Sequence, residues 1–151
     1  MKKIICMLLA ASMLFAFAAC GKKGDEVTVD LTDPAASAID IDLTKLNSTM
    51  VYSQVYNMTN EPDNFMGQTV RMSGNFAIYQ NPETGKRYYA CLIADAAACC
   101  SQGIEFVCDG LSYPNDYPDA GAQITVEGVF DRYEEDGMTY VQLIDAKMAV
   151  I

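Results

Sequence analysis

No histidine and no tryptophan occur in this chain of 151 residues, and cations are scarce: 10 Lys+Arg stand against 20 Asp+Glu, a formal net charge of −10. The missing imidazole excludes Ser-His-Asp and Cys-His nucleophile activation and every His-ligated zinc site. The shortage of Lys and Arg argues against nucleic acid as a partner, because that binding depends on neutralising phosphates. Charged residues make up 20% of the chain and hydrophobic ones 51%, the composition of a folded chain, not a disordered one. One domain with a real core is expected at this length. No carboxylate pair is singled out by spacing for glycoside hydrolysis. The sequence nominates no catalytic residue, and a non-enzymatic role is expected.

What is present begins with an address. Met1-Lys2-Lys3 is a positive start, and residues 4–19 form an uncharged run of sixteen. That is the pattern of a secretory signal, and the run is short of the ~20 residues that span a bilayer. The junction Phe17-Ala18-Ala19-Cys20-Gly21 resembles the lipobox of bacterial lipoproteins, with Phe17 where that family usually has Leu. The resemblance implies cleavage before Cys20, lipidation of its thiol with palmitate-type acyl chains, and attachment to the cell membrane facing outside the cytoplasm. Cleavage removes Lys2 and Lys3 but no acidic residue, leaving 8 basic against 20 acidic side chains, a net of −12.

The expected organisation is therefore a signal peptide (1–19), a flexible tether (20–38) and a folded domain (39–151). In the tether, residues 21–38 are mostly Gly, Lys, Asp, Thr and Ala, with Pro34 and Ser37 and few large apolar groups. Within it, Val27, Val29 and Leu31 alternate, so Glu26–Leu31 is also readable as an edge strand. A helix is expected from Asn47, capped by Asn47 or Ser48, with Met50, Val51, Val55 and Met58 at helical spacing and an end before Glu61-Pro62. Five strands follow, at Gln68–Tyr79, Lys86–Asp95, Ile104–Asp109, Gln123–Tyr133 and Met138–Val150. Turns are expected at Asn81–Gly85 and Glu134–Gly137, with a proline-containing loop at Leu111–Gly121.

An internal echo runs through this region. Gly67–Phe76 matches Gly121–Phe130 without gaps, each with glycines at its start and inside the strand (Gly74, Gly128) and a terminal Phe. A mid-strand glycine marks a bulge, a bend or a close backbone approach, which a small closed barrel needs. The strand count, the paired glycine pattern and the linker between strands three and four resemble an OB-fold over about residues 66–150. The fold class expected is mainly β: a five-stranded OB-fold-like barrel with one N-terminal helix, which would plug the barrel in place of the family's helix between strands three and four.

Four cysteines fall in the folded domain. A hairpin centred on Cys99-Cys100 would set Cys91 opposite Cys108, Ile93 opposite Phe106 and Asp95 opposite Ile104, all on one face. A Cys91–Cys108 disulfide is then feasible and suits an oxidising compartment. The adjacent pair leaves three readings open: structural disulfides or a mixture of disulfide and thiols, a soft-metal thiolate site of the zinc type, and a redox-active vicinal pair. Eight residues of strand at ~3.3 Å each separate Cys91 from Cys99 by about 26 Å, too far for one four-cysteine site unless the Ala96–Gly103 loop folds back. Cys99 and Cys100 completed by Asp95 or Glu105 is the simpler geometry. The segment Asp95–Phe106 also resembles a motif of small bacterial OB-like lipoproteins. It is more distantly similar to the soluble domain of a membrane-protein family found beside permeases, which carries a Cys-Cys pair. That resemblance implies an envelope accessory role linked to metals, with an envelope protein or permease as partner.

The remaining candidates have plain explanations. Tyr79, Tyr88, Tyr89, Tyr113, Tyr117, Tyr133 and Tyr140 are good strand residues, and only secondarily a stacking platform. Asp131, Glu134, Glu135 and Asp136 fit no EF-hand spacing and read as a solvated turn, as do Asp116 and Asp119. The expected function is a lipid-anchored extracytoplasmic binding or accessory module without a resident cofactor. The alternative is a metal or redox lipoprotein using Cys99 and Cys100.

Overall fold

Apolar side chains recur at alternate positions through most of the strands, and such a sheet must bury one face. Here it does so by curling on itself. The structure is a computed structural model and describes residues 38–95, 97 and 100–151. The signal peptide, Cys20, the tether with its Glu26–Leu31 strand, and Cys99 lie outside the described residues.

In chain order the elements are β1 (Ile41–Asp42), a 3-10 turn (Leu43–Lys45), α1 (Ser48–Asn60), a second 3-10 turn (Pro62–Asn64), β2 (Thr69–Gln80), β3 (Arg87–Ala94), β4 (Ser101–Phe106), β5 (Gln123–Glu135) and β6 (Met138–Val150). The strand order β2-β3-β4-β6-β5, with β5 pairing back to β2, closes a five-stranded barrel. Within the barrel all pairings are antiparallel except β4 with β6, which run parallel at Glu105↔Gln142 and Phe106↔Leu143. β1 was not anticipated from the sequence. It adds a two-residue parallel pairing to β2, anchored where the Asp40 carboxylate accepts from Thr69 N at 2.8 Å.

The helix forms where its signals lie. The Asn47 side chain accepts from Met50 N at 3.0 Å, and the helix stops one residue before Glu61-Pro62. Val51, Val55 and Met58, at i, i+4 and i+7, are buried against the barrel core. Met50, expected on that stripe, is exposed, because adjacent helical positions cannot face the same way. The helix packs on β3 and β4. Tyr117 of the loop between β4 and β5 is buried among the rings of Phe76 and Tyr89. Tyr89, stacked with Tyr117, and Ile93, which lines a small cavity with Val51 of the helix, are about 13 Å apart along β3.

The internal echo pairs with itself. β2 and β5 run antiparallel with Met72 opposite Val126, which are equivalent positions of the repeat, so a local two-fold axis passes between them. Gly67 N donates to Phe130 O at 2.8 Å, and Gly121 N donates to Phe76 O at 2.8 Å. Both glycines have positive φ, +76° and +90°, which an L side chain adopts only with strain. Phe76 and Phe130, at the far ends of the two halves, are buried.

The β3–β4 register corrects the expected hairpin. Cys91 faces Ile104, not Cys108, and Ile93 faces Gln102, a displacement of four residues. An even displacement leaves the inward and outward alternation untouched, so alternation cannot choose between the two. Two local features do. Asp95 N donates to Cys100 O at 2.9 Å and closes the loop there. Gly103 lies opposite Leu92, where an added Cβ would stand 2.5 Å from Leu92 Cδ2 and 2.9 Å from Cys91 O.

Candidate binding face

Residues that alternate with the buried core face outward, and on one side of the barrel they are tyrosines and carboxylates. Tyr79 ends β2, Tyr88 starts β3, Glu105 lies on β4, Tyr133 and Glu135 end β5, and Tyr140 and Gln142 start β6. Two turns bound this face. Asn81–Gly85 folds because the Asn81 side chain accepts from Glu83 N and Thr84 N at 2.9 and 3.2 Å. Asp136-Gly137 is a two-residue turn with φ of 51° and 75°, the type I′ geometry that suits strand twist. Glu134 and Glu135, expected in that turn, instead continue β5.

Two cavities open on the face and share Tyr88, Glu105 and Tyr133. The larger, about 450 Å³, lies between β3 and β6 beyond the end of β4, with Lys86, Tyr117 and Cys108 in its wall. The smaller, about 240 Å³, lies under the two turns, with Tyr79, Tyr140, Glu135 and Asp136. Rings pair across strands: Tyr133 and Tyr140 stack at 5.4 Å between centroids, and Tyr79 and Tyr88 meet at 6.0 Å.

Hydrogen bonds hold these groups in place. Tyr133 OH donates to Glu105 Oε2 at 2.7 Å, and Tyr88 OH donates to Glu135 Oε2 at 2.8 Å. Lys86 Nζ donates to Glu135 Oε1 at 2.9 Å and stands over two rings, 4.6 Å from the Tyr88 centroid and 5.5 Å from that of Tyr133. That hydrogen bond raises the Lys86 pKa, and the same bond, followed by that from Tyr88, lowers the Glu135 pKa. Burial pushes the Glu105 carboxyl above its ordinary value, and the Tyr133 bond offsets this in part. Burial and Glu105 together raise the Tyr133 phenol, so it stays a hydrogen-bond donor at neutral pH.

The seven tyrosines therefore divide. Tyr79, Tyr88, Tyr133 and Tyr140 form the outward face. Tyr89 and Tyr117 stack inside at 4.2 Å, with Tyr113 beside them and the Arg87 guanidinium 5.2 Å from its ring. Alternation assigns the strand tyrosines to one side or the other. Their convergence from four strands carried no local signal.

The cysteine expectations fare differently. Cys91 and Cys108 are buried and unbridged, because the register sets Cys91 against Ile104 and leaves Cys108 past the end of β4. Burial raises the Cys91 thiol to about 12 and pushes Cys108 up as well, helped there by Asp109. Both remain protonated thiols. Cys100 and Asp95 meet at the β3–β4 loop, but Glu105 is five residues further along β4, about 16 Å away, and engages Tyr133. Glu105 therefore belongs to the tyrosine face and does not complete a site with Cys100. Among the described residues no group of three or more Cys, Asp or Glu is placed to hold a metal ion. Nor is any described helix long and apolar enough to cross a membrane. Compared with known proteins, the chain matches no family model and no curated relative.

Proposed function

We propose that this protein is a lipid-anchored, extracytoplasmic binding module of the cell envelope, an OB-like barrel that uses its tyrosine face to hold a ligand or partner. The strand order supports the OB reading: relabelled from β2, it is 1-2-3-5-4 with closure to 1. The carrying observation is the convergence of four outward tyrosines and two hydrogen-bonded carboxylates on two adjoining cavities between hairpin turns. A surface with aromatic area and a few fixed polar groups is what ligand sites are made of. The anchor rests on the Cys20 lipobox, and the tether would let the domain reach a membrane partner such as a permease.

One experiment addresses both halves of this reading. The full chain and its Cys20→Ser variant are expressed in bacteria with labelled palmitate, and the purified full chain is followed by hydrogen exchange with and without solubilised envelope components. The expected result is label and membrane recovery for the native chain only, with added protection over residues 79–88 and 133–140. Label retained in Cys20→Ser would refute the anchor. Protection confined to other strands would refute the tyrosine face.

A further inference from the structure

The smaller cavity has aromatic walls and acidic rims, and no Lys or Arg lines it among the described residues. Tyr79, Tyr88, Tyr133 and Tyr140 surround it, and Glu105, Glu135 and Asp136 reach it, whereas Lys86 lines only the larger cavity beside it. Lys86 nonetheless demonstrates what these groups hold. Its ammonium rests over the Tyr88 and Tyr133 rings with Glu135 as hydrogen-bond acceptor. Tyrosine π-faces attract cations, more strongly where water is partly excluded. The two outer rings, Tyr79 and Tyr140, have no Lys or Arg over them among the described residues. A chain of net charge −10 also draws cations toward it and repels phosphates and acidic polymers.

We propose that the cavity between the two turns binds a small organic ammonium ion, its charge set against the Tyr79 and Tyr140 rings and the Glu105 and Asp136 carboxylates, alongside the Tyr88, Tyr133 and Glu135 that Lys86 engages. The inference rests on the tyrosine face being the binding surface and adds the ligand's chemistry. The volume of about 240 Å³ suits an alkylammonium head and is too small for an extended polymer segment. Glu105 and Tyr133 supply a fixed acceptor and ring on the inner side, while Tyr79, 61% exposed, forms the open wall through which the ion enters.

The test is a titration of the full chain in a non-ionic polyether detergent, carrying isotope-labelled tyrosine and followed by NMR. Three probes are compared: choline, n-butylammonium, and neohexanol, the neutral carbon isostere of choline. Choline or n-butylammonium should shift the Tyr79, Tyr88, Tyr133 and Tyr140 signals saturably, and the stronger of the two tells a quaternary from a primary ion. Neohexanol should bind at least about tenfold more weakly. Tyr140→Leu should weaken the preferred cation about three- to tenfold. Glu105→Gln, which removes charge but no volume, should also weaken it and keeps the test open if the Tyr140 variant does not fold. Equal binding of neohexanol would overturn the ammonium assignment and leave the face as a binding surface for neutral ligands. The absence of any saturable shift with either cation would also overturn it. The face reading itself would then stand or fall on the hydrogen-exchange result above.

Discussion

The two halves of the internal repeat start from the same pattern, and the structure puts it to different uses. In the first half, the position of a Cβ on Gly74 would be 2.3 Å from Leu92 O and 3.0 Å from Cys91 Sγ, so β2 is pressed onto an undistorted β3. In the second half, a Cβ on Gly128 would meet Ile144 O at 2.9 Å, beside a bulge in β6 between residues paired with Glu127 and Val129. Asp145, at φ 51°, lies in that bulge, and Ala146 N turns away to donate to Val107 O at 2.9 Å. The same glycine therefore permits direct contact in one half and an irregular strand in the other. The hairpins diverge as well: the β2–β3 turn is long and brings in Lys86, whereas the β5–β6 turn is the two residues Asp136-Gly137. The face needs both, since Lys86 from one turn engages Glu135 beside the other.

Substitution can pull the halves apart. Gly74→Ala should have the largest effect, about 3 kcal/mol or more, because the group it strikes is the backbone of a strand that has no slack. Gly128→Ala should lose less, about 1–2 kcal/mol, since the bulge in β6 offers some relief. Urea unfolding of both variants checks this, and equal losses would mean that the two glycines do the same job. Gly67→Ala and Gly121→Ala meet no neighbouring atom within 4 Å and face only the strain of positive φ. They should cost about 1–2 kcal/mol each and match one another, the half-to-half symmetry surviving there.

Smaller effects separate the core side of the barrel from its outer face. Native Cys91 and Cys108 should resist iodoacetamide at neutral pH and react only on unfolding, as mass spectrometry of the modified chain would read out. Rapid native labelling of either would contradict their burial. The smallest change is expected of Glu105→Gln. The folded pKa of Glu105 lies above the ordinary 4.5, so the native state holds this proton more tightly than the unfolded chain does. Its contribution to stability is therefore greatest below 4.5 and is lost as pH rises through the folded pKa. The glutamine variant should melt slightly higher at neutral pH, by less than about 1 kcal/mol of stability after solvent screening, and lose that advantage in acid. Melting curves across pH decide it.

Much of the barrel was legible because its signals are local. Asn47 caps α1, Pro62 limits it, and alternation plus Asn-Pro and Asp-Gly turns delimit five strands. The repeated Gly67–Gly74 and Gly121–Gly128 pattern also announced two bent strands. The binding face was legible only in part. Its tyrosines were visible, but nothing near Tyr88 in sequence indicates that Glu135, 47 residues away, will accept the hydrogen bond of its hydroxyl. Glu135 looked like turn because its side-chain partners, Lys86 and Tyr88, are remote in the chain.

By itself the sequence determined the helix, the presence of five barrel strands and the places where the chain must bend; the resemblance to a lipobox at Cys20 enters only the functional proposal. Those depend on caps, turns and alternation, all of which act within a few residues. Tertiary structure alone decided the β3–β4 register, and with it the separation of Cys91 from Cys108. It also decided which tyrosines turned outward together and which were stacked beneath the loop. The reason is physical: strand alternation is blind to even shifts, and convergence of side chains from four strands exists only once the barrel has closed.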